Sequence, residues 1–214
     1  RSPEKSARRW NLCDDAPPET MEAAIGLVGD GFVIVAADRA SARSIVVFKQ
    51  DEDKVLVLDK SKLLGWAGKA SDSVAFTEFV QKNMALYEIN NGLGLSTHAA
   101  CNFIRNELAQ ALRKGPFQTN LLLGGYDAKD DAVSLYYVDY LASSHKVNFG
   151  CHGYASNFVL SILDREWKEG LTEAEGLEII RKCIAELQTR FLVNLPKFMV
   201  KIVDKNGTRQ VPQP

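Results

Sequence analysis

An α+β fold follows from how the apolar segments of this 214-residue chain are ordered and punctuated. β-rich segments alternate with paired helical ones, in the order β-rich, two helices, β-rich, two helices, closing hairpin. The β-rich segments read as hairpins joined by short polar turns at Gly29-Asp30-Gly31, 127–131 and 205–208, so they need no parallel crossovers. Two antiparallel sheets, each covered by a helix pair, is the economical packing of that order.

The first hairpin gives the clearest reading. The runs Ala24–Val28 and Phe32–Ala37 flank Gly and Asp, residues that tolerate the positive φ of a tight turn. In the second run both alternating sets are apolar: Phe32, Ile34 and Ala36 on one face, Val33, Val35 and Ala37 on the other. A strand with no polar face must be covered on both sides. It ends at Asp38-Arg39, and two further β-rich runs follow, Ile45–Phe48 and Val55–Leu58, with Lys54 between them. Taken alone, Asp38 and Lys54 are a strand-end carboxylate and a solvated lysine. Leu63–Gly68 is a further strand.

Ser71 or Asp72 then caps a helix reaching about Ile89, with Phe76, Val80, Met84 and Tyr87 on one face and Asn91-Gly92 as its stop. A second helix runs from Ser96 to Arg113, presents Cys101, Ile104, Leu108 and Ala111, and stops at Gly115-Pro116. Asn120–Tyr126 and Ala132–Asp139 form the next hairpin, and Lys146–Cys151 is one short strand. The third helix spans about Ser156–Lys168. Thr172 with Glu175 gives the capping-box pattern of a fourth, which carries Leu177, Ile180, Ile184 and Leu187. Phe198–Asp204 and Arg209–Val211 close the fold around Asn206-Gly207, and 212–214 read as an unpaired tail.

Composition narrows the function. A net charge of −1 with interspersed signs points to neither nucleic acid nor an anionic membrane. No apolar run approaches the roughly 20 residues of a membrane span, and residues 1–20 lack the apolar core of a signal peptide. Cys13, Cys101, Cys151 and Cys183 contain no C-x-x-C pair, which suits free thiols in a reducing compartment. His98, His145 and His152 show no metal-ligand spacing, so neither a metal nor a cofactor is expected. Residues 1–20 are polar, carry three prolines and lack any helical or strand period, as a flexible arm outside a domain of residues 21–214 would.

From about Met21 to Thr208 the sequence resembles the β subunits of the proteasome, members of the N-terminal nucleophile hydrolases. Gly31–Asp38 (GFVIVAAD) is similar to the family's hairpin strand, and Asp38 and Lys54 fall on its aspartate and lysine. LLLGGYD (Leu121–Asp127), LYYVDYLA (Leu135–Ala142), SILDR (Ser161–Arg165) and RFLVNLPKF (Arg190–Phe198) resemble the type at the fourth β position, which is non-catalytic in eukaryotes. The resemblance implies a four-layer αββα sandwich. It also implies partners: β neighbours in the same heptameric ring and in the opposite β ring, and subunits of the α ring. Cytoplasm and nucleus are the implied location, and ATP- and ubiquitin-dependent protein degradation the implied process.

In active members the mature chain begins with a threonine whose hydroxyl attacks the peptide carbonyl, helped by its own amine and the lysine. That position here holds Glu22, or Met21 if the register slips by one. Neither is such a nucleophile, and a glutamate places negative charge where the oxyanion would develop. The nearest hydroxyl, Thr20, follows Glu19 instead of glycine and lies about one residue out of register. The supporting G-S-G-S segment aligns with Gly153-Tyr154-Ala155-Ser156, the late helical aspartate near Phe191, and the serine after it near Asn194. The resemblance therefore implies a non-catalytic subunit in which Asp38 and Lys54 survive as a structural ion pair. The alternative is an active threonine protease with Thr20 as nucleophile after removal of residues 1–19. The arm would then be a propeptide, and a third reading has Arg8, Arg9 and Trp10 anchoring it on a neighbouring subunit. Tyr136, Tyr137, Tyr140, Leu141 and 191–196 are candidates for subunit contacts, with ordinary core burial as the competing explanation for each.

Overall fold

The computed structural model describes residues 22–43, 46–191 and 195–214. The expectations for residues 1–20, Met21 and Asn194 lie outside these. In chain order the elements are β1 (Ala23–Gly29), β2 (Phe32–Asp38), β3 (Ser41–Arg43), β4 (Val46–Lys49), β5 (Val55–Asp59), β6 (Lys62–Gly68), α1 (Ala70–Asn91), α2 (Thr97–Ala111), β7 (Thr119–Asp127), β8 (Ala132–Val138), β9 (Ser144–Val147), β10 (Phe149–Gly153), α3 (Ser156–Glu166), α4 (Glu173–Arg190), β11 (Phe198–Asp204) and β12 (Gly207–Val211).

Two antiparallel five-stranded sheets form, in the orders β10-β1-β2-β11-β12 and β5-β6-β7-β8-β9, with β3-β4 as a separate two-stranded ribbon. The two-sided apolar pattern of β2 dictates the layering. Phe32, Ile34 and Ala36 enter a core with Ile180, Ile184 and Leu187 of α4 and Val159 and Leu163 of α3. Val33, Val35 and Ala37 enter a second core with Leu63, Leu122 and Leu135 of the other sheet. A third core joins Leu64, Trp66, Leu121 and Leu123 to Phe76 and Val80 of α1 and Ile104 and Leu108 of α2. These three cores separate four layers, α, β, β, α. Each fully buried Leu, Ile or Phe contributes about 2 kcal/mol.

Glycine lets the two sheets approach. A Cβ at Gly65 would stand 2.6 Å from Val35 Cγ1, and one at Gly124 would stand 2.9 Å from Val33 Cγ1. Both contacts fall on the face of β2 that the alternation assigns to the inter-sheet core.

The structure corrects several sequence expectations. Residues 146–151 are not one strand: the chain breaks at Asn148, with β9 at the edge of one sheet and β10 at the edge of the other. The Asn148 carbonyl accepts the Val28 N–H, which holds the crossing point against β1. Neither Ser71 nor Asp72 caps α1; Lys69 precedes the helix, and its carbonyl accepts the N–H groups of Asp72 and Ser73. The Asp72 carboxylate is engaged elsewhere, by the Gln118 N–H. Helix α3 stops at Glu166, two residues short of the expected end. The tail after β12 is held, because Gln213 Oε1 accepts the Phe198 N–H. The expected capping box of α4 is present, with Thr172 and Glu175 reciprocally bonded.

Candidate functional site

The two-sided burial of β2 drives its terminal carboxylate inward, and β5 starts directly opposite. Asp38 and Lys54 are both buried. Lys54 Nζ donates to Asp38 Oδ2 at 3.0 Å, to Glu22 Oε1 at 3.2 Å and to the Ala40 carbonyl at 2.7 Å. All three ammonium protons thus have oxygen acceptors, and the cation sits 5.5 Å from the centre of the Trp66 ring. Asp38 does more than balance Lys54. Its Oδ1 accepts the Ala23 N–H at 2.8 Å and its Oδ2 the Ala40 N–H at 3.0 Å, so one carboxylate fixes the start of β1 and the chain leaving β2.

Glu22 is the fourth corner. Besides Lys54 it meets the Gly68 N–H, which donates to Oε2 at 2.5 Å. Burial pushes the Glu22 carboxyl above its ordinary value; Lys54 and the Gly68 N–H pull the other way, and the Asp38 charge pushes it up again. Gly68 was expected only as the end of a strand. Its role is specific, because a Cβ there would lie 2.4 Å from the Gln118 carbonyl oxygen. Glycine therefore lets β6 end with its N–H aimed at the cluster. A glycine closing an apolar strand directly before a helix was the available sequence signal.

Beside the cluster, Gly153 lies opposite Ala23 in the β1–β10 pairing. This brings the 153–156 segment to the mouth of the site, where Gly153 takes φ 76° and its carbonyl accepts the Ser156 hydroxyl at 2.9 Å. Tyr154 packs against Phe191, with ring centres 5.7 Å apart, and Phe191 also packs edge-on against Phe158 at 5.9 Å. Both positions singled out as departures from a polar supporting network are therefore joined in one aromatic cluster. The adjoining β3–β4 ribbon leaves Val46, Val47 and Phe48 exposed, Phe48 by 70 %.

Among the described residues, this arrangement pairs charge with charge and with backbone donors. Lys54 is occupied by three acceptors. The backbone N–H of Gly68, a donor of the kind that stabilises a developing oxyanion, is occupied by a carboxylate. Among the described residues, Lys54 and Asp38 have no hydroxyl or thiol as a hydrogen-bond partner.

The remaining candidates are dispersed. Cys101, Cys151 and Cys183 are free and buried, and burial pushes the thiols of Cys151 and Cys183 up to about 12. Cys13 lies outside the described residues. His152 stacks on Tyr137 at 3.9 Å and bonds the Leu121 carbonyl; burial lowers it to about 4. His98 contacts Tyr136 and Asn102, and His145 contacts Ser143. Of the contact candidates, Tyr136 and Leu195 are core residues, Tyr137, Tyr140 and Phe191 are half-buried, and Leu141 is 56 % exposed. Among the described residues, no helix is long and apolar enough to cross a membrane.

Layering and cluster together define a class, an αββα sandwich with a buried lysine–carboxylate knot where the first strand begins. The family model described as "Proteasome subunit" matches residues 20–203. The chain belongs to the proteasome subunit family. It is 50 % identical over 190 residues to proteasome subunit beta type-2-B of Arabidopsis thaliana, covering 89 % of this chain and 95 % of the relative. Identity to proteasome subunit beta type-2 of Dictyostelium discoideum is 47 % over 194 residues, covering 90 % and 98 %. The Saccharomyces cerevisiae beta type-4 subunit is 38 % identical over 192 residues, covering 89 % and 97 %.

Proposed function

We propose that this chain is a non-catalytic, architectural β subunit of the eukaryotic proteasome core particle, taking the place that its beta type-2 and type-4 relatives occupy. It helps build the inner heptameric rings around the proteolytic chamber, between α rings, in ATP- and ubiquitin-dependent protein degradation in cytoplasm and nucleus. Residues 21–214 form its β-subunit domain and residues 1–20 an extension.

One observation carries the reading. Glu22 stands where β1 begins, and its carboxylate takes both the cation and the backbone donor that a hydrolytic site would need free. Asp38 and Lys54 then act as structure: they tie β1, β2 and β5 together. Apolar side chains left in solvent, such as Phe48 and Leu141, are what a subunit made for burial in an assembly would carry.

The test is intact mass and N-terminal sequencing of this subunit, taken from purified particle treated with an inhibitor directed at N-terminal threonine. A chain that retains residues before Thr20, or begins at Met21 or Glu22, and gains no adduct is the expected result. A chain that begins at Thr20 and carries the adduct is a working protease and overturns the proposal.

A further inference from the structure

Asparagine precedes glycine twice in this chain, at Asn91-Gly92 and at Asn206-Gly207; every other asparagine precedes a bulkier residue. The pairing matters because a glycine nitrogen, with no side chain beside it, can reach the Cγ of the asparagine before it. The two pairs sit in opposite settings. Asn91 is the last residue of α1. Its Nδ2 donates to the Tyr87 carbonyl at 2.8 Å, and the Gly92 N–H donates to the Glu88 carbonyl at 2.8 Å. The attacking nitrogen and the amide it would attack are both tied back along the helix.

Asn206 stands exposed at the tip of the closing hairpin, between β11 and β12. Gly207 takes φ 109°, a conformation that glycine adopts readily and other residues do not. The Asn206 N–H donates to Asp204 Oδ1 at 2.6 Å, which anchors the residue on its N-terminal side. Its other peptide bond, to Gly207, is the one that must turn, and only the last pair of the hairpin, Asp204 with Gly207, restrains it.

We propose that Asn206 is a self-modifying residue, deamidated through attack by the Gly207 nitrogen, whereas the same pair at Asn91 is protected by its helix. The Gly207 nitrogen gives up its proton to solvent and bonds to Asn206 Cγ. The side-chain nitrogen takes up a proton and leaves as ammonia, and a five-membered imide remains. Water opens the imide at either carbonyl. Opening at the side-chain carbonyl gives aspartate. Opening at the main-chain carbonyl gives isoaspartate, whose backbone runs through the side chain and is one methylene longer. Water is the only co-reactant. The site needs no partner, so it stands or falls independently of the assembly reading.

Turning the Asn91–Gly92 peptide bond breaks both helix-end bonds, each a factor of about five. At the hairpin tip only the closing pair gives way. The products have a structural effect, because the tip is crowded. A Cβ on Gly207 would stand 3.1 Å from the Lys60 carbonyl oxygen, so the tip rests on the β5–β6 turn of the other sheet. An extra methylene breaks the register of Asp204 with Gly207. Either product also sets a new carboxylate beside Asp204, which shares Arg209 with Glu173 at the start of α4. The new charge competes for the cation that ties the closing hairpin to that helix.

The purified full-length chain is incubated at neutral pH in water enriched in heavy oxygen, then digested and mapped by mass. Label enters only where an imide has been opened, so amide lost beforehand is not counted. Label is expected in the peptide holding residues 204–209 at least fivefold faster than in the one holding 88–93. The hairpin peptide is also expected to accept methyl groups from an isoaspartate-specific carboxyl methyltransferase. In urea the two pairs are expected to react within about twofold of each other, since the helix no longer protects Asn91. Asn206→Gln is expected to abolish label and methyl acceptance in the hairpin peptide and to leave the thermal midpoint of fresh chain unchanged. Aged unaltered chain is expected to melt below aged Asn206→Gln.

Equal labelling of the two pairs in the folded chain overturns the proposal. So does absence of label at Asn206, or a difference between the pairs that persists in urea. Aged chains of both kinds melting together overturns the structural effect of the modification.

Discussion

Lys54 and Lys82 each hold a carboxylate oxygen at nearly the same distance, 3.0 Å from Asp38 and 3.1 Å from Glu78. Their settings are opposite. The Lys54–Asp38 pair is 1 % exposed on both sides, gathers strands from three parts of the chain and leaves no proton unused. The Lys82–Glu78 pair is 73 % and 54 % exposed and joins one turn of helix to the next. Distance alone therefore says little about energy: desolvation and shared hydrogen bonds decide what each pair does. The first pair is finished within the molecule, whereas the second lies open to solvent on one helix.

The comparison breaks most sharply at its buried member. Lys54→Met leaves the Asp38 and Glu22 carboxylates together without their cation, and an expected loss of about 3–5 kcal/mol follows in urea unfolding of the purified chain. A loss below about 1 kcal/mol would mean that water reaches the cluster. Gly68→Ala should be next, at about 2–3 kcal/mol, because the new Cβ meets a backbone oxygen that no side-chain rotation can move aside. The same unfolding curve measures it.

Glu22→Gln is a smaller change with a distinctive sign. Burial raises the Glu22 carboxyl above its ordinary 4.5, so the folded chain holds that proton more tightly than the unfolded one. Stability from this group is present below pH 4.5 and falls as pH rises through the raised value. The glutamine variant should lose that falling limb and lie within about 1 kcal/mol of the unaltered chain at neutral pH. Thermal midpoints recorded across pH 4–8 test this, and a limb that persists in the variant would assign it to another group. Smallest of all, Lys82→Ala should change the stability of the isolated chain by less than about 0.5 kcal/mol, and what change there is should shrink with salt.

Much of this was legible from residue order. The alternation of β2 assigned Phe32, Ile34 and Ala36 to one core and Val33, Val35 and Ala37 to another, as the packing shows. Periodicity read the helices well because each has a core-facing stripe. What escaped was set by contacts distant in sequence. No local feature of Asn148 announces that the chain changes sheets there; the Val28 N–H that donates to its carbonyl comes from β1. Asp72 has the right chemistry for a helix cap, yet Gln118 claims it. Strand β3 is too short and too polar to stand out from a turn. At the site, Glu22, Asp38 and Lys54 were each identified, but Gly68 was missed, since a backbone donor leaves no trace in residue type.

The pairing of β2 with β11 has a consequence for synthesis. The residues that meet, Ile34 with Ile202 and Val35 with Lys201, lie near opposite ends of the sequence. A ribosome delivers them on the order of ten seconds apart. Until β11 emerges, β2 has an open edge and apolar side chains on both faces, which is the most aggregation-prone arrangement a nascent strand can present. The sheet that carries Asp38 is thus completed only by strands, β11 and β12, that are translated long after it. A ribosome-bound chain halted before residue 198 is a species that a cellular holding factor would be needed to shield.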